Sequence, residues 1–164
     1  MSTRQLANQL LESFGRLLTI EGLELGEKDD SCVLLFDQDL ALTIEYDEPT
    51  ERLLFAVYLD SLTEETEGPL LRELLSANFY WIATAGATLC AESSTGALYL
   101  LYPSRVTDLD DARFERLVEN LISMAEKWRD RIAAHRAGTV TAAADSASNG
   151  ADTLPLSSTP HIFG

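Results

Sequence analysis

Leu40-Ala41-Leu42-Thr43-Ile44-Glu45-Tyr46, followed after Asp47-Glu48-Pro49-Thr50 by Leu53-Leu54-Phe55-Ala56-Val57-Tyr58-Leu59, decides the fold class. Leu40, Leu42, Ile44 and Tyr46 alternate with Ala41, Thr43 and Glu45, and Leu53, Phe55, Val57 and Leu59 again fall at every other position. Successive side chains of a strand point to opposite faces, so each run is a strand with one apolar face. The segment between them is a turn, because proline fixes its own φ and cannot donate to a ladder. Upstream, residues 31–36 form another β-type run, joined to the first through the polar Asp37-Gln38-Asp39 as a hairpin.

Working outward, helical spacing takes over on both sides. Leu6, Leu10, Leu11, Phe14, Leu17 and Leu18 recur every three or four residues, predicting an amphipathic helix from Ser2 or Thr3 to about Thr19 with one of the first two as its cap. Gly22 and Gly26 break that pattern, and Leu23-Glu24-Leu25 between them reads as a short strand. On the other side, Gly68-Pro69 opens a second helix, proline being harmless in a first turn, and Leu70, Leu71, Leu74, Leu75 and Phe79 make its apolar stripe. Residues 87–92 and 97–102 form a second hairpin across Ser93-Ser94-Thr95-Gly96, with Pro103 expected to end its last strand. Asp108, Asp110 and Asp111 then crowd the start of a final helix whose end carries Lys127, Arg129, Arg131 and Arg136, matching the helix dipole. Phe114, Leu117, Val118, Leu121, Ile122, Ala125, Trp128 and Ile132 form its long apolar face. The order is helix, three or four strands, helix, two strands, helix: an α+β domain with a twisted antiparallel sheet flanked by helices, over residues 1–136. Residues 137–164 collapse to Ala, Ser, Thr, Gly and Asp and read as a disordered tail, in which Leu154-Pro155-Leu156 and His161-Ile162-Phe163 are best taken as filler.

Twelve Lys and Arg against 27 Asp and Glu leave a net charge of −15 over 164 residues. Such a chain repels phosphate backbones and anionic headgroups, which sets aside nucleic acid and bare membrane as partners. The excess sits early: residues 1–107 carry 18 acids and 6 bases, residues 108–136 carry 7 and 6. It serves solubility, or offers an acidic surface to a basic segment. Cys32 and Cys90 lie inside apolar runs at no paired spacing, so reduced, buried thiols are expected rather than a disulfide or zinc site. The first residues lack a signal-peptide core and no apolar run approaches a membrane span, which points to a soluble cytoplasmic protein.

Chemistry is hard to find. His135 at the end of the last helix and His161 in the tail do not read as partners for either cysteine. Asp37-Gln38-Asp39 and Asp108-Leu109-Asp110-Asp111 lack the glycine and distal glutamate of a calcium loop and read as turn and cap residues, while Glu64-Glu65-Thr66-Glu67 reads as a solvated loop. No glycine-rich phosphate cradle follows any strand. The sequence therefore implies no catalytic residue, metal or cofactor. What remains is surface: the first helix is not obviously needed to cover the sheet, and Asn78-Phe79-Tyr80-Trp81-Ile82 sets adjacent large side chains in every direction, which fits self-association.

Leu74-Leu75-Ser76-Ala77-Asn78-Phe79, Gly86-Ala87-Thr88-Leu89, Gly96-Ala97-Leu98-Tyr99-Leu100, the acidic start at Asp108 to Asp111 and Glu126-Lys127-Trp128-Arg129 follow one another in an order that resembles the Tir-chaperone, or CesT-like, class I chaperones of bacterial type III secretion. The resemblance covers about residues 3–134. It implies a homodimer that catalyses nothing and holds the N-terminal chaperone-binding segment of one or more effectors in extended form, soluble and ready for secretion. It assigns the dimer interface to Leu71, Leu74, Leu75, Asn78, Phe79 and Trp81, with Ala87 and Leu89 on the following strand. Cargo contact goes to the exposed members of Leu10, Phe14, Leu17 and Leu18 and to the sheet residues Phe36, Leu42, Ile44, Leu98 and Leu100. Docking to the secretion ATPase is left open by the sequence. Two other readings stand beside this one: an adaptor of the same fold for an extended segment outside secretion, and a small-molecule binder or small enzyme with a site between the first helix and the sheet.

Overall fold

The computed structural model describes residues 1–37, 39–62 and 67–138. Gln38 of the first hairpin connection, Glu64 to Thr66 of the acidic loop and the tail from residue 139 onward lie outside the described residues. Helix α1 (Thr3–Leu18) opens with a capping box, the Ser2 hydroxyl accepting from the Gln5 amide at 3.2 Å while Gln5 Oε1 accepts from the Ser2 amide at 2.8 Å. Strands β1 (Ser31–Phe36), β2 (Leu40–Asp47) and β3 (Arg52–Ser61) follow as a meander. Helix α2 (Glu67–Ala77) and a 3-10 turn (Phe79–Thr84) lead to β4 (Thr88–Ala91) and β5 (Ala97–Arg105), and α3 (Asp111–Arg136) closes the fold. The five strands are antiparallel neighbours in the order β1-β2-β3-β5-β4.

Three phenylalanines tie the layers together. Phe14 of α1 meets Phe114 of α3 edge to face at 5.3 Å, and Phe114 meets Phe55 of β3 in the same way at 5.6 Å. The alternation that decided the fold class does its expected work, since Leu42, Ile44, Tyr46, Leu53, Phe55, Val57 and Leu59 are all buried beneath these helices. Burying one such side chain stabilises by about 1.5 to 3 kcal/mol, which gives this face its hold on the register. Trp128 of α3 is buried too, and its indole N–H donates to the Ala83 carbonyl at 3.2 Å, fixing the 3-10 turn to the last helix.

Several boundaries differ from the sequence reading for local reasons. Leu23 and Leu25 are buried but belong to no strand; the Leu25 amide bonds to Asn8 Oδ1 at 3.0 Å, so a helix side chain takes the place of a strand neighbour. Three strands, not four, precede α2. Strand β5 runs past Pro103 to Arg105, because β4 reaches only the Thr88–Leu101 pair and the missing N–H then falls at a free edge. Phe79 lies beyond the end of α2, in the 3-10 turn, and is 72 % exposed instead of completing the apolar stripe. Helix α1 is needed after all: Ala7, Leu10, Leu11 and Phe14 are buried in the same core as the sheet.

Candidate functional site

Strand β1 pairs only with β2, so its other side is an edge of the sheet. The Ser31 carbonyl at its start faces outward and accepts from the Gly26 amide at 2.8 Å. By strand alternation the backbone groups of Val33 and Leu35 face outward as well, and they have no partner among the described residues. Their side chains are 58 % and 69 % exposed on the sheet face opposite the core. From Val33 the register runs across that face through Thr43, Ala56, Leu101 and Thr88, a row without a charge. Beside it, Tyr58 and Tyr99 pack edge to face at 5.8 Å. An unpaired edge flanked by uncharged side chains can accept an extended peptide as an additional strand.

The opposite edge, β4, is capped at Leu89. The Asn78 amide donates to the Leu89 carbonyl at 3.0 Å and accepts from the Leu89 amide at 2.9 Å, imitating a neighbouring strand. Just beyond Asn78, Tyr80 and Trp81 both adopt left-handed backbone with φ of 53°, a conformation that costs bulky residues about 1 to 3 kcal/mol each. The strain presents Phe79, Tyr80, Trp81 and Ile82 to solvent beside the equally exposed Leu75 of α2, and Ile82 is 84 % exposed. A contiguous apolar patch of this kind is the signature of an association surface.

These positions sort the residues expected from the sequence. Of the cargo set, Leu10, Phe14, Leu42, Ile44, Leu98 and Leu100 are core residues, at most 6 % exposed, so a surface-bound segment cannot reach them while the domain is folded. Leu17 and Leu18 are exposed at the end of α1, and Phe36 is half-buried on the core face of β1. Of the dimer set, Leu75, Phe79 and Trp81 are exposed, Leu71 and Asn78 are half-buried, and Leu74, Ala87 and Leu89 are buried within the subunit. The sequence does not mark Val33 and Leu35 as exposed, because Cys32-Val33-Leu34-Leu35-Phe36 is apolar at every position and shows no alternation.

Ionisable groups are engaged in holding elements together. Glu73 of α2 pairs with Arg131 at 2.6 Å and with His135, both on α3. Arg129 pairs with Asp39 at 2.7 Å, which holds that carboxyl below its ordinary range, and Arg4 bridges to Asp30 at 2.6 Å. Burial pushes the Cys32 thiol up to about 11 and raises that of Cys90, so neither is a ready nucleophile. Among the described residues no group of three or more His, Cys, Asp or Glu is placed to hold a metal, and no helix is long and apolar enough to cross a membrane.

The same architecture occurs in solved structures. One, the ExsC–ExsE complex, is 27% identical over 79% of this chain and 96% of its own, with a TM-score of 0.71. A second, the HopA1–SchA chaperone–effector complex, is 23% identical over 78% and 96%, with a TM-score of 0.65. The type III secretion chaperone SycH of Yersinia pestis, bound to a fragment of YscM2, is 15% identical over 74% and 98%, with a TM-score of 0.59; this likeness and that to SchA are of fold alone. No curated protein matches the sequence. The model of the Tir chaperone protein (CesT) family matches residues 9–129, from within α1 through the sheet and into α3, and with a match of that extent the chain belongs to the Tir chaperone protein (CesT) family.

Proposed function

We propose that this protein is a cytoplasmic type III secretion chaperone that binds the N-terminal segment of an effector in extended form, keeps it soluble and catalyses no reaction. The observation that carries the reading is the β1 edge, where the outward backbone groups of Val33 and Leu35 lie unpaired beside two exposed apolar side chains. Main-chain bonds along such an edge give affinity with little dependence on cargo sequence, and alternate side chains supply selectivity. Leu17, Leu18 and Phe36 extend the apolar surface available to the same segment. Ordering a disordered segment costs conformational entropy, so a large area has to be buried, and a two-fold dimer supplies every patch twice. Leu75 and the exposed residues Phe79 to Ile82 are the proposed dimer surface, because they are adjacent, apolar and separate from the β1 edge. Membership of a family of non-enzymatic secretion chaperones supports the absence of catalysis.

The test is co-expression with the protein encoded beside its gene, purification, and light scattering for mass. A soluble complex of two copies with one neighbour, lost when the neighbour's N-terminal segment is deleted, is the expected result. A lone monomer that binds no neighbour would instead favour an adaptor for a partner outside secretion.

A further inference from the structure

Among the described residues six of the twelve Lys and Arg side chains have no carboxylate within ion-pair distance although the chain carries a net charge of −15, and three of the six, Arg52, Arg105 and Arg116, line adjoining surface cavities. Arg52 and Arg105 are direct cross-strand partners at the end of the β3–β5 ladder, an arrangement of like charges that lowers stability. Asp47, the register partner of Arg52 on β2, turns its carboxylate to the Thr50 hydroxyl. With Arg113 of α3 the first two line a surface cavity of about 470 Å³, walled on its apolar side by Tyr102, Leu109 and Leu117. A second cavity of about 220 Å³ shares Tyr102, Arg113 and Leu117 and brings in Arg116. The two form one groove, around the stretch of β5 that β4 leaves uncovered. Arg113 pairs with Asp110 at 3.7 Å and donates to the Asp108 carbonyl, and the Asp108 side chain is the one acid on the groove wall.

We propose that this groove binds an acidic peptide segment of a protein partner, its carboxylates on Arg52, Arg105 and Arg116 and one large apolar side chain against Tyr102 and Leu117. Guanidinium forks take carboxylates in bidentate pairs, and the planar, pre-organised fork loses less freedom per hydrogen bond formed than an ammonium does. Charge complementarity selects the occupant: the rest of the surface repels an acidic chain, so binding is confined to this groove. Nucleic acid fits less well, because a phosphate backbone must track a long basic path and acids surround this short one. The groove is separate from the β1 edge, and the inference does not depend on what that edge binds.

Fluorescence anisotropy on the full chain tests it, with a rhodamine-labelled peptide of Glu and Asp around a central Leu-Phe, its Gln and Asn counterpart, and a labelled single-stranded oligonucleotide as the phosphate probe. The acidic peptide is expected to bind, its amide counterpart to bind at least about tenfold more weakly, and the Arg52→Glu, Arg105→Glu double variant to lose at least about tenfold. Arg105→Gln alone, at an exposed position, keeps the fold and loses several-fold, while Arg72→Glu on α2 changes nothing. No binding of the acidic peptide, equal binding of the amide peptide, unchanged binding by the folded Arg105→Gln variant, or tighter binding of the oligonucleotide through the same arginines would each overturn the proposal.

Discussion

The Asn78 side chain hydrogen-bonds both backbone groups of Leu89, capping the β4 edge of the sheet at that residue with one amide. A part-buried pair of this kind leaves two unmet backbone groups when the amide is removed. Asn78→Ala is therefore expected to lower stability by about 1 to 3 kcal/mol, and Asn78→Asp to destabilise as well, because it keeps the bond from the Leu89 amide but sets a carboxylate oxygen against the Leu89 carbonyl. Denaturant midpoints check both, and a midpoint equal to the wild type in Asn78→Ala would remove the edge-capping role.

Gly15 lies inside α1 where the chain returns beneath it. An added Cβ would meet the Ile20 carbonyl at 2.7 Å and Leu23 Cβ at 3.0 Å, and the Ile20 amide itself bonds to the Gly15 carbonyl at 2.8 Å. Helix propensity alone would favour alanine by about 1 kcal/mol, so the sign of the change separates the two effects. Gly15→Ala is expected to destabilise by about 1 to 3 kcal/mol through overpacking, read by thermal or chemical unfolding.

The proposed dimer surface gives a mass measurement. Phe79→Ser with Ile82→Ser removes two exposed apolar side chains from the patch and leaves the core intact. Light scattering is expected to show half the wild-type mass at low micromolar concentration, with the circular dichroism of the fold kept; the monomer's own stability changes by no more than about 0.5 kcal/mol. Wild-type mass in this variant would place the interface elsewhere.

Adjacent prolines in β1 probe the edge. Leu35 turns its N–H outward, so Leu35→Pro keeps the β1–β2 ladder and denies the edge a donor, whereas Leu34→Pro removes an inward donor and a core side chain. The first is expected to remain folded while losing effector binding by at least about tenfold, and the second to unfold. Titration calorimetry on Leu35→Pro decides the matter.

Glu92 gives the pH dependence. Its carboxylate accepts from the hydroxyls and amides of Ser94 and Thr95 at the β4–β5 turn, which lowers its pKa from the ordinary 4.5 to about 2. A carboxyl depressed on folding stabilises above its unfolded value and loses that contribution as pH falls through the folded one. Glu92→Gln is accordingly expected to be less stable than wild type at neutral pH, with the gap closing between about pH 4.5 and 2. A gap independent of pH would contradict the turn's reliance on the charged form.

Alternation and helical spacing made the layers legible, because a half-buried strand and an amphipathic helix each leave their period in the chain; Phe55 and Phe114 are placed correctly by that means alone. The same period does not separate a core face from a docking face. Phe14 and Ile44 read equally well as contacts for cargo, and only the packing of α1 and α3 onto the sheet shows that they are internal. Val33 and Leu35 carry no period, and the role proposed for them comes from β1 being an edge, a property of strand order rather than of residues. Leu75 differs from the buried Leu74 by a single step around the helix, and the stripe as read included both.

Amide hydrogen exchange at Val33 and Leu35, measured by NMR with and without the effector's N-terminal segment, tests strand addition at the β1 edge most directly. Strand addition at β1 requires fast exchange at both amides in the free protein and marked protection in the complex, while the Leu34 amide is protected throughout. Exchange at Val33 and Leu35 that stays fast in a fully formed complex would contradict strand addition at β1.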